Sequence, residues 1–218
     1  RLRWSCVVPA MTINEAIQQM RFAKENGADA VSLRPFEDDR HLVDPYFYPI
    51  YEEATRLDFA VAVHIANASP QLLDQFKPRY DKMGGFAQFR IPTVITCLSL
   101  MMSEVPQQFP KLRWAFVEAS AQWVPWVAKE AIRRTGTKGF PDMPFKEFRI
   151  YVTTETNDDF DFVLRYAGED NLVIGTDYGH TDASSEVDAI DIFRANDSLP
   201  ETIKKKILDD NPRALYTL

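Results

Sequence analysis

Six short apolar runs alternate with amphipathic helical patterns along almost the whole chain. The runs are Trp4–Val8, Ala30–Leu33, Ala60–Ile65, Trp114–Val117, Ile150–Thr153 and Leu172–Gly175. Continuous apolar runs of this length are typical of strands that are buried on both faces. Strands that alternate with helices pair in parallel through right-handed crossovers, so the pattern predicts an α/β fold with a parallel sheet.

Helix boundary signals fall between these runs. The first helix is predicted over Ile13–Asn26, after a capping box formed by Thr12 and Glu15 and before a terminating Gly27. Later helices follow similar signals, such as the Asp44-Pro45 pair, where Asp suits the cap and Pro the first helical position. The resulting order is a βα unit repeated six times, with a final helix.

Two α/β architectures fit this order. A TIM-type (β/α)8 barrel has eight strands, so this chain would lack the first one or two βα units. An open doubly wound sheet would accommodate six strands as they stand. The barrel is favoured because it brings the ends of strands that are distant in sequence to one rim. Neither a Rossmann glycine fingerprint nor a P-loop is found.

Composition limits the classes of function. The 218 residues fit a single domain spanning 1–218, and the net charge of −7 argues against a general role in binding nucleic acid or a membrane surface. The mean hydropathy of −0.28 and the lack of a long apolar stretch exclude a transmembrane helix. Cys6 and Cys97 have no metal-type spacing, so we interpret them as reduced thiols of a cytoplasmic protein, with mutual pairing as the alternative.

Three polar residues stand at the ends of apolar runs. They are His64 in AVAVHIAN, Glu118 in WAFVEAS and Asp177 in LVIGTDYGH. The C-terminal ends of barrel strands meet at one rim, where barrel enzymes carry their chemistry. Convergence of an imidazole and two carboxylates there predicts a metal or acid–base site.

Each of these residues also has a structural interpretation. His64 could ligate a metal or only satisfy its ring nitrogens within the core. Asp177 could hold an ion and accept a proton from bound water, or it could cap a turn. Glu118 could ligate a metal, orient water or shuttle protons, and its structural alternatives are a helix cap or an ion pair with Arg34 or Arg90.

Several other residues have sequence contexts that indicate a functional role more weakly or favour a structural one. His180 could contact a substrate from the rim or belong to a solvated loop, whereas His41 is predicted to lie at the surface. Trp123 and Trp126 are interpreted as packing residues at the start of a helix. The acidic residues of ETNDDFD, at 155–161, are interpreted as a charge pattern at a helix start.

Four longer segments carry a family resemblance: HLVDPYFYPIYEEATRLDFAVAVHIA, FPKLRWAFVEASAQWVPW, NLVIGTDYGHTD and DNPRALYTL. Through them the chain resembles the amidohydrolase-related metal-dependent hydrolases and decarboxylases. This branch includes aminocarboxymuconate semialdehyde decarboxylase and the resorcylate decarboxylases. The resemblance implies a (β/α)8 barrel that holds one divalent ion, often zinc.

The resemblance also implies roles for single residues. His64 becomes a metal ligand, and Asp177 becomes both the ligand and the acid–base carboxylate of barrel strand eight. A histidine commonly ends strand six in the family, where this chain has Glu118. Family members usually carry a His-x-His pair on their first strand, and this sequence has no such motif. We therefore expect that the N-terminal quarter of the barrel is missing from the sequence, with loss of the metal as the alternative.

These expectations combine into one leading hypothesis and two rivals. The leading hypothesis is a metal-dependent hydrolase in which zinc, or manganese, activates water, Asp177 moves the proton, and Glu118 and His180 orient water or substrate. The first rival is a non-oxidative, metal-dependent decarboxylase of a small aromatic or unsaturated acid. The second is an inactive barrel that binds a ligand or partner. The expected partner is a small-molecule substrate, and aromatic surface on the barrel helices is compatible with a homodimer.

Overall fold

The structure, a computed structural model, describes residues 2–66, 70, 74, 85–136, 139–181 and 184–218. The strands are β1 (Trp4–Val7), β2 (Ala28–Leu33), β3 (Phe36–Glu37), β4 (Arg40–His41), β5 (Ala60–His64), β6 (Trp114–Val117), β7 (Ile150–Thr154) and β8 (Leu172–Ile174). All six strands that were predicted from the apolar runs are present, with ends that differ by one or two residues.

The helices fill the intervals between the strands. They are α1 (Ile13–Glu25), α2 (Tyr48–Leu57), α3 (Ile91–Met102), α4 (Val105–Gln108), α5 (Val124–Thr135), α6 (Pro144–Glu147), α7 (Phe160–Ala167), α8 (Ala189–Arg194), α9 (Glu201–Lys205) and α10 (Asn211–Tyr216). A π-helical turn, Phe86–Arg90, leads directly into α3. None of the described helices is long and apolar enough to cross a membrane.

Helix starts follow the sequence signals only in part. The Asp44 side chain accepts a hydrogen bond from the Tyr46 N–H at 2.8 Å, with Pro45 in the first position of the turn, as predicted. Thr12 precedes α1 but makes no capping hydrogen bond through its side chain. The predicted capping box at this helix is therefore wrong.

The larger sheet is parallel throughout and has the order β1-β2-β5-β6-β7-β8. In this register His64 of β5 lies beside Val117 of β6, and Thr154 of β7 lies beside Ile174 of β8. The C-terminal ends of these four strands therefore lie along one edge. Residues that directly follow the strands are brought together there.

Most of the described helices pack on one face of the sheet. Alternate strand residues, including Val61, Phe116 and Val152, join one apolar cluster with helix residues such as Met20 and Val127. The opposite face carries a smaller cluster: Ala30, Ala60, Ala115, Tyr151, Val173 and Leu215. A doubly wound sheet has helices on both faces, whereas a barrel wall has them outside only. The packing therefore favours the barrel.

A short hairpin, formed by antiparallel β3 and β4, follows β2 and was not predicted. His41 ends this hairpin, and its ring packs edge-on against Phe36 with centroids 4.7 Å apart. The imidazole is partly buried, and this burial lowers the pKa of His41. The predicted surface position of His41 is therefore wrong.

Candidate active site

Four predicted site residues lie together at the C-terminal edge of the sheet. His64 is the last residue of β5, Glu118 directly follows β6, and Asp177 and His180 lie in the loop after β8. Gly175, just before Asp177, lies so close to β7 that a Cβ there would be 3.3 Å from Thr153 Cγ2. The small residue allows the loop after β8 to lie close against β7.

Glu118 lies between two imidazole rings. Its Oε2 is 2.9 Å from His64 Nε2, and its Oε1 is 3.7 Å from His180 Nδ1. His180 Nδ1 is also 2.6 Å from Asp177 Oδ1. The carboxylate side chains of Glu118 and Asp177 are only 9% and 12% exposed. The four residues thus form one connected group in which two largely buried carboxylates alternate with the partly exposed imidazoles of His64 and His180, 45% and 58% exposed.

The two carboxylates are held by unusual backbone conformations. Glu118 has φ +69°, Ser120 has φ +60° and Asp177 has φ +49°, all in the left-handed region. Side chains with a Cβ adopt this region at an energetic cost, so surrounding contacts must hold it. Such conformations cluster at functional sites, which supports a chemical role for this rim.

A buried carboxylate holds the turn after Glu118. Asp158 accepts hydrogen bonds from Ser120 Oγ at 2.5 Å, from the Ala121 N–H at 2.9 Å and from the Glu155 N–H at 2.8 Å. Asp158 is 7% exposed, so its charge is stabilised mainly by these donors. It therefore joins the loops after β6 and β7 and fixes the backbone next to Glu118.

The role of Asp158 was missed because the sequence interpretation treated ETNDDFD as one helix-start pattern. The neighbouring Asp159 serves as the cap of α7, where its side chain accepts from the Phe162 N–H at 3.1 Å. A helix start needs one capping side chain. Because Asp159 already caps the helix, the adjacent Asp158 indicated a further role that the sequence interpretation did not consider.

Glu118 does not form the alternative ion pair with Arg34 or Arg90. Arg34 Nη2 contacts Glu37 Oε2 at 2.7 Å, and Arg90 Nη2 contacts Glu155 Oε1 at 2.8 Å. Both arginines considered as partners of Glu118 therefore bind other carboxylates. Glu118 instead faces the two histidines.

The neighbouring carboxylates change the titration of His64. The hydrogen bond that His64 Nε2 donates to the Glu118 carboxylate raises the pKa of His64 above its ordinary value of 6.5, and partial burial opposes this effect. The contact between Nδ1 and the Ile65 carbonyl, at 2.7 Å, and the charge of Asp177 raise the pKa further. Compared with a free imidazole, the protonated form of His64 is therefore stabilised in the folded protein.

We expect this shift to appear as pH-dependent stability in the metal-free protein. Because the pKa of His64 is raised on folding, its stabilising contribution is fully present below about pH 6.5 and is lost as the pH rises through the folded pKa. The measurement is an NMR titration of the His64 ring proton after chelator treatment. In Glu118→Gln the midpoint should fall, and a wild-type midpoint at or below the ordinary value would contradict the prediction.

The donor atoms of the group fit a divalent cation. One ligand atom each from Glu118, Asp177 and His180 lie within 4.8 Å of one another. Two carboxylates and one imidazole are ligands that divalent metals accept in proteins. His64 lies just outside this trio and reaches it through Glu118, so its assignment as a metal ligand stays a prediction.

A small cavity opens beside the group. It has a volume of about 190 Å³ and is lined by His64, Glu118, Asp177, Thr154 and Glu155, among others. A larger cleft, of about 640 Å³, is also lined by His64 and by residues at the C-terminal ends of β1 and β2. The rim therefore combines a metal-type donor set with space for a small molecule.

Comparison with known proteins identifies the family. The family model described as amidohydrolase matches residues 1–218. The chain belongs to the amidohydrolase family. The expected resemblance is thus confirmed, and a search of curated protein sequences finds no match for this amidohydrolase.

Solved structures share the fold of this amidohydrolase at low sequence identity. 5-Carboxyvanillate decarboxylase LigW from Sphingomonas paucimobilis has a TM-score of 0.79 and 16% identity, covering 98% of this chain and 66% of its own. An amidohydrolase from Mycobacterium avium subsp. paratuberculosis K-10 has a TM-score of 0.80 and 20% identity, covering 98% and 57%. Dihydroxybenzoic acid decarboxylase from Polaromonas sp. JS666, with bound manganese and the inhibitor 2-nitroresorcinol, has a TM-score of 0.80 and 22% identity, covering 100% and 70%.

These likenesses establish the fold class of the amidohydrolase. It is the TIM-type (β/α)8 barrel, of which the described residues form six parallel strands. The chain spans 66% and 57% of the first two solved chains. The expectation of a TIM-type barrel is confirmed, and the larger sheet of the described residues has six strands.

Proposed function

We propose that this amidohydrolase is a metal-dependent, non-oxidative decarboxylase of a small aromatic or unsaturated carboxylic acid. The observation that carries the proposal is the trio of Glu118, Asp177 and His180, whose ligand atoms lie within 4.8 Å of one another on a rim of the barrel. Further support comes from the decarboxylases that have the same fold. The hydrolase favoured by the sequence becomes the second candidate.

A divalent ion fits the donor set of this rim. Asp177 and His180 would hold it together with Glu118, and His64 is the further predicted ligand. When bound, the ion would supply positive charge that holds the substrate carboxylate and an adjacent oxygen. Carboxylate-rich sets suit manganese, so we propose manganese, with zinc as the alternative that the family resemblance suggests.

The protein side chains would supply the proton. Asp177 Oδ1 and His180 Nδ1 are 2.6 Å apart, so a proton can be held between them. In the proposed reaction the bond from the substrate carbon to its carboxylate breaks, CO2 leaves, and this proton forms the new C–H bond. The balance is one proton taken up per CO2 released, with no redox change. Burial of Asp177 limits competition from water.

Hydrolysis remains the second candidate because of one contact. The Glu118 carboxylate lies 2.9 Å from His64 Nε2, and a carboxylate that orients an imidazole is an arrangement suited to removing a proton from water. The two reactions differ in their products. Decarboxylation releases CO2 without water uptake, whereas hydrolysis consumes one water per bond broken.

The deciding experiment combines elemental analysis with product analysis. Protein purified without chelator should contain about one divalent ion per chain. After loading with Mn²⁺, it should release CO2 from aromatic acids such as 2,6-dihydroxybenzoate and should leave esters, lactones and amides intact. Cleavage of those substrates without CO2 release would favour the hydrolase. Failure to take up manganese or zinc would contradict both and favour an inactive, ligand-binding barrel.

A further inference from the structure

A pocket lies at the end of the barrel opposite the proposed reaction site. It has a volume of about 330 Å³, and its lining includes Phe59, Arg113 and Arg149, which directly precede β5, β6 and β7. The N-terminal ends of three neighbouring strands therefore form this pocket. None of the candidate site residues at the rim lines it. It is thus a separate space that the proposed reaction does not use.

The charge of this pocket is opposite to that of the chain as a whole. Lys111, Arg113 and Arg149 bring three positive charges to the lining, and Asp58 is the one carboxylate among the lining residues that the structure describes. Two positive charges are therefore left unbalanced, although the whole chain has a net charge of −7. A concave surface that carries one sign of charge attracts small ions of the opposite sign.

The single carboxylate of the lining is already bound to Arg113. The Arg113 side chain is 5% exposed, and its guanidinium donates to Asp58 Oδ1 at 2.8 Å, to the Asp58 carbonyl at 3.0 Å and to the Leu215 carbonyl at 2.7 Å. Within the part of the chain that the structure describes, the side chains of Lys111 and Arg149 make no hydrogen bond or ion pair. Their donors are therefore available to a ligand.

The backbone of Arg149 is a second, independent observation at this pocket. Arg149 has φ +54°, in the left-handed region, shortly after the end of α6, where glycine is the usual residue because a Cβ is strained. Asp58 and Thr217 have φ +53° as well, but both of their side chains accept hydrogen bonds from Arg113. The Arg149 side chain has no such partner in the described structure. A structural contact therefore does not account for an arginine at this position.

The two arginines of the pocket lie side by side. The Trp114 N–H donates to the Arg149 carbonyl at 3.0 Å, which places Arg113, before β6, next to Arg149, before β7. Like charges on neighbouring strands repel each other. A phosphate group would offset this repulsion, because it carries up to two negative charges and accepts charge-assisted hydrogen bonds from both lysine and arginine.

We propose that this pocket binds a small phosphate-type dianion, with Arg149 and Lys111 in direct contact with it and Arg113 as the charged wall behind them. The chemistry that the pocket recognises is the phosphate group, either free or carried on a small ester. The inference does not depend on the reaction at the rim. Its failure would leave the proposed decarboxylase untouched, and the reverse also holds.

The test measures binding of inorganic phosphate and of glycerol 3-phosphate by calorimetry in about 0.15 M NaCl, which screens weak surface attraction. We expect saturable binding that weakens at least about tenfold in Arg149→Gly and in Lys111→Gln, since each change removes a charge-assisted hydrogen bond. Tighter binding of the ester would identify a phosphorylated small molecule as the ligand. Equal or tighter binding of inorganic phosphate would identify the free ion.

The matched control is Arg194→Gln. Arg194 lies on α8, its side chain is 64% exposed, and its described ion pair is with Asp191. This variant removes the same unit of charge from a position outside the pocket, so its affinity for both probes should equal that of the wild type. An equal loss of affinity in Arg194→Gln and Arg149→Gly would mean that only the overall charge matters, and would overturn the proposed site.

Arg149→Gly also separates a binding role of Arg149 from a structural one. Glycine adopts positive φ without strain, so the unfolding temperature of this variant should stay level or rise. A clear fall in unfolding temperature would mean that the arginine is kept for the fold, and would count against the proposal. Two further results would overturn it: unchanged affinity for both probes in Arg149→Gly, or no saturable binding by the wild type below about 10 mM of either probe.

Discussion

Replacing Asp177 by Asn is expected to lower turnover by about a thousandfold or more and to weaken metal binding in parallel. Asparagine has the same size as aspartate and tolerates the left-handed backbone that residue 177 adopts at φ +49°. The substitution therefore removes the negative charge with little change in the fold. It replaces the carboxylate of a proposed metal ligand, whose Oδ1 lies 2.6 Å from His180 Nδ1, by a neutral amide.

The measurements are kcat and the metal content of the purified variant, with circular dichroism to verify folding. Asp191→Asn is the matched control, since Asp191 lies on α8 with its side chain 80% exposed and contacts only Arg194 in the described ion pairs. Both metal content and turnover should be unchanged in this control. Retention of wild-type turnover by Asp177→Asn would remove Asp177 from the proposed chemistry.

Replacing Asp158 by Ala is expected to lower the free energy of unfolding by at least about 1–3 kcal/mol, the cost of one buried donor that is left without an acceptor. The substitution leaves the Ser120 hydroxyl and the N–H groups of Ala121 and Glu155 without their acceptor. Because these bonds hold the turn next to Glu118, turnover should fall as well. Urea unfolding and kcat are the two measurements.

The adjacent residue provides the control for this variant. Asp159→Ala removes the cap of α7, which costs about 1 kcal/mol for a typical helix. It leaves the bonds between the loops after β6 and β7 intact, so turnover should stay near the wild-type value. Equal losses of stability in the two variants would mean that Asp158 acts only as part of the helix start.

The strands could be predicted from sequence because each is a short, continuous apolar run with a helical pattern on either side. Val61 and Val63 face the helices. Ala60 and Ala62 lie on the opposite face of the strand, and residues on both faces are buried. The β3–β4 hairpin could not be found in this way, since two-residue strands carry no periodicity. Nor could periodicity show that most of the helices cover the same face of the sheet. That distinction depends on contacts between elements.

The candidate site was predictable in its location but not in its contacts. The rule that strand ends share one rim brought His64, Glu118 and Asp177 together in advance. The alternative in which Glu118 forms an ion pair with Arg34 or Arg90 is excluded only by the structure, where both arginines bind other carboxylates. Asp158 was missed because its hydrogen bond with Ser120 spans 38 residues. Sequence patterns report local periodicity, and such a contact appears only after folding.

The left-handed backbone at Glu118 and Asp177 has a consequence for laboratory evolution. Glycine adopts positive φ without the steric cost that a side chain incurs, and Asn and Asp tolerate it better than Glu does. Randomised libraries selected for heat resistance alone should therefore accumulate Glu118→Gly and similar changes at this rim. Such variants would unfold at higher temperatures but would lose the proposed enzymatic activity. Directed evolution of this barrel therefore needs an activity screen in every round, because the positions where glycine would relieve backbone strain include residues of the proposed active site.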